Sequence, residues 1–338
     1  MRYWNQSCKT HKETIVLLGG ALFCLATFLL SLCIGAVSVS PRDLVCAIFA
    51  QEDSLTLQIL RYSRLPRTFA TMLAGAGLSV SGAVVQTVLH NKLASPGIIG
   101  VNAGAGLAVT LCCAAGVFSG WAIAGFSFLG AMAAVLLILF ASKSAGVSKT
   151  TLILGGVAVN SILNALSEAI SVLLPEAGSM TRDFRVGGFY AVSTSRLIPA
   201  GILITLGLVA VISLCGHLDI IALGDETAHS LGVNVKKFRI TLLVLAALLA
   251  GSSVSFSGLL GFVGLLVPHA VRNLVGYENR KIIPLCVLFG AGFVTICDLI
   301  ARTAFAPYEI PVGIFLSVLG GPFFLYLLIR KKEGGFHD

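Results

Sequence analysis

Apolar runs long enough to cross a bilayer as helices, roughly 17–25 residues each, recur along the chain with short polar breaks between them. They lie near residues 14–38, 67–89, 95–118, 121–141, 151–174, 197–215, 238–257, 259–276, 282–303 and 310–330. This pattern predicts an all-α polytopic membrane protein of about ten transmembrane helices, with residues 1–338 forming one transmembrane domain. In hydrocarbon a backbone must satisfy its own polar groups, and the helix is the form that does so within one segment. The first run follows a basic lead, Met1 to Lys12, and exceeds the core of about 7–15 residues found in a cleaved signal peptide. It reads as a retained span. Gly258, Gly261, Gly264 and Pro268 interrupt the seventh and eighth runs, so their limits are the least sharply drawn.

The second and third runs are joined only by His90-Asn91-Lys92, which predicts a helical hairpin. Gly75, Gly77, Ser79, Ser81 and Gly82 crowd the second run. Small residues let helix backbones approach closely, so this helix is expected inside the bundle. A related string recurs later: Ala74–Gly82 and Ala250–Gly258 agree at five of nine positions. The two lie in spans predicted to cross in opposite directions, a weak inverted repeat of the sort common in transporters.

Composition agrees with this class: 57% of residues are hydrophobic and 11% charged, with a mean hydropathy of +0.96. The net charge of +8 would suggest nucleic acid for a soluble chain, but basic residues gather in the cytoplasmic loops of membrane proteins. No nucleic-acid partner is expected. With both termini placed in the cytoplasm, 15 Lys and Arg fall inside and 8 outside, and all ten lysines are inside. The external cations are Arg42, Arg61, Arg64, Arg67, Arg182, Arg185, Arg196 and Arg302. Arginine pairs carboxylates bidentately, so this set suggests a surface that receives an acidic partner. The nine cysteines show no metal-ligand spacing, and neither a metal nor a cofactor is expected.

Arg64-Leu65-Pro66-Arg67, followed by Asn91, Leu93-Ala94, Pro96-Gly97 and Gly100, resembles the permease subunits of ATP-binding-cassette (ABC) importers for iron-siderophores, haem and cobalamin. Lys92 departs from that pattern, where proline is usual. Three later stretches extend the resemblance. Leu223-Gly224, Ala228 and Leu231-Gly232 match the coupling helix that docks on the ATPase subunit. Gly261-Phe262-Val263-Gly264, Pro268-His269 and Arg272 match a G-F-x-G-L-x-x-P-H-x-x-R element. Asp298, Arg302, Pro311-Val312-Gly313 and Gly320-Gly321-Pro322 match the C-terminal elements. The resemblance implies a prokaryotic plasma (inner) membrane location, a cytoplasmic ABC ATPase, an external substrate-binding protein and a second permease copy or homologue. It also implies that Arg64, Arg67 and Arg302 receive acidic residues of the binding protein. In the loop 216–239, Asp225 and Glu226 suit a helix N-terminus and Gly232 its end, with Ala228 and Leu231 as a small apolar face.

Asn160, Asn164, Ser167, Glu168 and Ser171 share one face of the fifth run, as expected for a bundle-facing or water-lined stripe. The family places this helix beside the translocation pathway of a dimer. His269, directly after a proline and with no partner acid nearby, reads as structural. No G-x-x-x-x-G-K-[ST] occurs; Gly146–Thr150 lacks the glycine before lysine that lets a loop wrap phosphate. The chain therefore reads as a non-catalytic permease that moves a metal chelate, with ferric siderophore first and haem or cobalamin as alternatives. An ion-coupled secondary transporter is the competing reading. It would need Glu168 or Asp298 to carry the ion.

Overall fold

The computed structural model describes residues 2–35, 55–144, 148–190 and 192–333. Arg42, residues 36–38 of the first predicted span, and Gly146 with Val147 lie outside that set. Among the described residues the regular structure is helical. Helix α1 spans Arg2–Cys33. Helix α2, Leu55–Ile59, passes through a π-helical turn at Leu60–Arg64 into α3, Leu65–Val88. Then come α4 (Val101–Ala114), α5 (Gly120–Ser144), α6 (Lys149–Leu173) and α7 (Pro175–Val186). Helix α8 is Thr194–Ser213, α9 Cys215–Ala222, α10 Asp225–Ser230 and α11 Val235–Ser257. The chain continues with α12 (Val263–Val275), α13 (Asn279–Thr303) and α14 (Val312–Glu333).

Each of the ten predicted spans holds a helix among the described residues, but these are unequal. Seven are long and apolar enough to cross a membrane; Val101–Ala114, Val263–Val275 and Val312–Leu325 are shorter apolar helices. The third predicted span, 95–118, is broken. Pro96–Ile99 forms a 3₁₀ turn and Gly100 is left-handed at φ +92° before α4 begins. A Cβ at Gly100 would lie 2.8 Å from Ile138 Cδ1, so the turn is both bent and closely packed. With 14 residues, α4 reaches only about 21 Å, less than the hydrocarbon thickness of about 30 Å. The eighth span begins late for a similar reason. Phe262 holds φ +64°, an uncommon conformation for a bulky side chain.

Helix α3 is the buried centre of the bundle. One face packs antiparallel on α13 along a row spaced by fours. Thr71 Oγ1 lies 2.9 Å from Thr295 Oγ1, Ser79 Oγ donates to Cys286 O at 2.6 Å, and Thr87 Oγ1 donates to Asn279 Oδ1 at 3.1 Å. Between them Gly75 meets Gly290 so closely that an added Cβ would overlap the Gly290 carbonyl. A second face meets α11, where Ser81 Oγ donates to Ala246 O at 2.6 Å. A Cβ at Gly77 would stand 2.5 Å from Ser253 Oγ. The two echoed strings, Ala74–Gly82 and Ala250–Gly258, are thus antiparallel neighbours. A third face meets α12: Gly82 abuts the Gly264 backbone, and Gln86 Nε2 donates to Gly264 O at 2.9 Å. Arg272, one of the fifteen cations on the inner side, is buried and donates to Gln86 Oε1. His269 packs edge-on to Phe323, with ring centroids 6.1 Å apart.

Charges separate to the two ends of the bundle. One end gathers Arg64, Arg67, Asp298, Arg302 and Glu309. The other holds Glu13, Lys281 and Glu278, Lys149, Asp225 and Arg239, and Lys92 against Tyr277. Lys92, the departure from the family pattern, sits in a tight turn in which Leu93 N donates to Asn91 Oδ1 at 2.9 Å.

Between helices in lipid the driving force is packing and hydrogen bonding, since the tails are as apolar as the helices. Overfilling such a seam costs about 1–3 kcal/mol. Gly75→Ala is therefore expected to lower the thermal midpoint of the detergent-solubilised chain. Gly125→Ala, on α5 with nothing within 4 Å of the new methyl, is expected to leave it unchanged or raise it. Equal midpoints for the two variants would refute the close-packing account.

Candidate functional site

The end of the bundle that the lysine sorting assigns to the cytoplasm is built around α10. Gly224 at φ +110° and Gly232 at φ +78° bracket it, conformations that a side chain would disfavour. Neither glycine has an atom within 4 Å of where a Cβ would sit, so backbone conformation is what they supply. Asn234 caps the following helix, accepting from Lys237 N at 3.1 Å. The loop is pinned by Asp225. Arg239 Nη2 donates to both of its carboxylate oxygens at 2.7 and 2.8 Å, and Lys149 Nζ lies 3.2 Å away. Burial alone would push the Asp225 carboxyl up, but hydrogen bonds from Arg239 and Lys149 outweigh it and hold it below the usual carboxylate range.

The apolar face expected from Ala228 and Leu231 is not shared. Ala228 is fully buried, while Leu231 is 59% exposed and Leu223 64% exposed. The helix stops at Ser230 and Leu231 is its C-cap, at φ −82° and ψ 10°, so the same-side placement of helical residues three apart no longer applies to it. The protruding apolar pair is Leu223 and Leu231, one at each end of α10, with Glu226 exposed between them. Beside them lies a 600 Å³ cavity lined by Ser148, Asp225, His229, Asn234 and Lys236.

At the other end, the three arginines singled out from sequence come together but stand differently. Arg64 and Arg302 are buried. Arg64 Nη1 donates to Leu32 O at 2.5 Å and Cys33 O at 3.1 Å, and Arg302 Nη2 to Ser31 O at 2.6 Å. These are the last carbonyls of α1, which have no partner within their own helix, so the two cations cap that helix. Arg67 is closer to solvent. It forms a two-toothed pair with Asp298, at 2.9 and 3.0 Å, and donates to Glu309 at 2.8 Å. Glu309 is exposed and Asp298 buried. Sequence reading did not single out Glu309, which stands just outside the Pro311-Val312-Gly313 element. Nearby, Tyr190 Oη donates to Asp183 at 2.7 Å. Burial and that bond push the Tyr190 hydroxyl up to about 12. Tyr190 and Asp183 line a 380 Å³ cavity with Arg67 and Glu309.

The polar stripe on α6 divides. Asn160 donates to Gly97 O at 2.9 Å, bracing the 3₁₀ turn. Ser167 is buried against Thr110 at 2.8 Å and accepts from Arg185 at 2.6 Å. Ser171 donates to Ser167 O within its own helix. Asn164 and Glu168 are exposed, and Glu168 lies 3.5 Å from Arg185. Helix α6 is the least buried of the seven long spans. Glu168 and Asp298, the two carboxylates from which an ion-coupled transporter would draw, thus each have an arginine beside them.

Comparison with known proteins fits this geometry. The FecCD transport family matches residues 23–330. The Fe(3+)-citrate import system permease protein YfmD of Bacillus subtilis is 37% identical over 304 residues, covering 90% of this chain and 91% of its own. The iron(3+)-hydroxamate import system permease protein FhuG of the same organism is 36% identical and covers 96% and 99%. A solved metal-chelate type ABC transporter in an inward-facing conformation superposes with a TM-score of 0.84 at 28% identity, covering 94% of this chain and 99% of that one. Helical architecture, matched length and sequence identity together make this multi-pass plasma-membrane protein a member of the FecCD transport family, a permease subunit of the ABC-importer kind.

Proposed function

We propose that the chain forms the membrane route by which an ATP-driven importer brings in a ferric chelate, a siderophore or ferric citrate, with haem and cobalamin as the other cargo readings. The observation that carries this reading is α10: a glycine-hinged helix, pinned by Asp225 to Arg239, presenting Leu223 and Leu231 to the cytosol. The segment 216–239 is the coupling loop within one transmembrane domain, 1–338. A separate ATPase seats on it through Leu223, Gly224, Asp225, Glu226, Leu231 and Gly232, with Ala228 as the internal anchor. The chain itself is not catalytic. An external binding protein docks at the rim around Arg67, which Arg64 and Arg302 support from below by fixing the end of α1. Asn164 and Glu168 face a second permease copy or homologue across the pathway, because a carboxylate facing lipid is strongly disfavoured. Asn160, Ser167 and Ser171 brace that wall from behind.

Reconstitution in vesicles with the ATPase and binding protein tests the whole reading. Uptake of labelled ferric chelate should need all three components and ATP. Uptake driven by a sodium or proton gradient without the ATPase would overturn it.

Leu223→Asp with Leu231→Asp is expected to abolish transport and ATPase coupling while leaving the permease monodisperse. Ala228→Asp should instead destabilise α10 itself, seen as faster amide exchange over residues 223–234. Persisting coupling in the Leu pair variant would place the ATPase elsewhere.

The folded Asp225 carboxyl titrates below its unfolded value, so its contribution is present above the unfolded pKa and is lost as pH falls through the lower, folded one. Amide protection of α10 is expected to be flat through neutral pH and to fall only at acid pH. Asp225→Asn removes that acid step and lowers protection throughout, because buried Arg239 loses its carboxylate. An unchanged acid step would assign it to another group.

At the outer rim, Glu309 occupies Arg67 from within the same chain. Glu309→Gln is expected to tighten docking of an acidic binding protein several-fold at low salt, and Arg67→Glu to weaken it, both effects shrinking as salt rises. Docking indifferent to both changes and to salt would remove Arg67 from the interface.

A further inference from the structure

Between α3 and α8, on the outer half of the bundle, lies a 640 Å³ cleft that the transport reading does not use. Its walls are two rows spaced by about one helical turn. Arg61, Leu65, Phe69 and Leu73 come from the π turn and α3; Thr194, Ile198, Ile202 and Leu206 come from α8. Gly201 deepens the floor, and the nearest atom to a Cβ there is Leu73 Cδ1 at 3.2 Å. Phe69, Ile198, Ile202 and Leu206 are all about half exposed, so the cleft opens sideways, where the membrane is the solvent. Below its mouth the lining is almost wholly apolar.

The mouth differs in kind. The widened turn at Leu60–Arg64 separates two cations that an α-helix would place on one side at a spacing of three. Arg64 goes inward to cap α1, and Arg61 stays exposed at the head of the cleft. Among the described residues the Arg61 side chain has no hydrogen bond or salt bridge. Tyr62 beside it is 76% exposed, as suits an aromatic residue at the headgroup level. From Arg61 to Leu73, and from Thr194 to Leu206, the walls each run about 18 Å, close to the half-thickness, about 15 Å, of the hydrocarbon core.

We propose that this cleft binds one anionic phospholipid of the outer leaflet, with an acyl chain along the α3–α8 seam and the headgroup phosphate on Arg61. A guanidinium fork matches a phosphate diester, and one leaflet's depth of apolar wall matches one chain. The site is independent of the cargo and of the ATPase, so it stands or falls apart from the transport reading.

Native mass spectrometry of the detergent-purified full chain, supplied with phosphatidylglycerol, phosphatidylcholine or glycerol phosphate, tests it. Phosphatidylglycerol should be retained about fivefold better than phosphatidylcholine, the worth of one interfacial cation. Arg61→Ala should abolish that preference but keep a bound chain. Ile202→Trp, at a half-exposed position outside the core, should fill the cleft and release both lipids. Equal retention of the two lipids by the unaltered chain, or phosphatidylglycerol retention indifferent to both substitutions, would overturn the proposal. Glycerol phosphate binding that survives Ile202→Trp would make it a free-anion site instead. A photoreactive residue at position 202 that captures protein rather than lipid in membranes would give the cleft to a partner helix.

Discussion

Backbone-to-backbone contact around α3 is the constraint from which the architecture follows. Glycine or serine on this helix faces a carbonyl or a small residue on α13, α11 and α12 in turn: Gly75 against Gly290, Ser81 against Ala246, Gly82 against Gly264. In lipid no hydrophobic gain draws helices together, so closeness and the hydrogen bonds it permits must hold them. Each hydroxyl bond of this kind contributes about 0.6 kcal/mol on average. The stability of the seam therefore lies in the continuity of the row, not in any one member.

The same closeness explains how polar groups survive inside. Gln86 lends its amide to the Gly264 carbonyl, which Pro268 leaves open because proline has no N–H, and its oxygen to Arg272, so one side chain satisfies both an unpaired carbonyl and a buried cation. Arg64 and Arg302 play the corresponding part at the outer end, closing the carbonyls that α1 leaves open. Buried arginine at this outer end is a fastener for backbone that has run out of helix. Arg67 is the exception, held between a buried acid and an exposed one.

Much of this was legible in the sequence. Apolar run length located every span, and the glycine and serine crowding between Gly75 and Gly82 identified the central helix, because both signals are local. The sorting of lysine and arginine anticipated which charges would meet at each end. What sequence could not supply was direction around a helix axis once regularity failed. The π turn before Leu65 sends Arg64 inward and leaves Arg61 outside, and a heptad-like reading makes them equivalent. The 3₁₀ turn at Pro96 cuts the first residues from an expected span. Ala228 and Leu231, three apart, were read as one face, yet the helix ends between them. Glu309 was invisible because its meaning depends on Arg67, 242 residues away in the chain.

Helix α3 carries Arg67 near one tip and Gln86 with Thr87 near the other, and it is clamped on three sides along the whole interval. Bending a rod gripped in this way would break its bonds to α11, α12 and α13, whereas tilting or sliding it as one piece takes its clamps along. Mechanical news arriving at the extracellular lip would then reach the opposite lip as a displacement already scaled by leverage, with no backbone dihedral in between having changed.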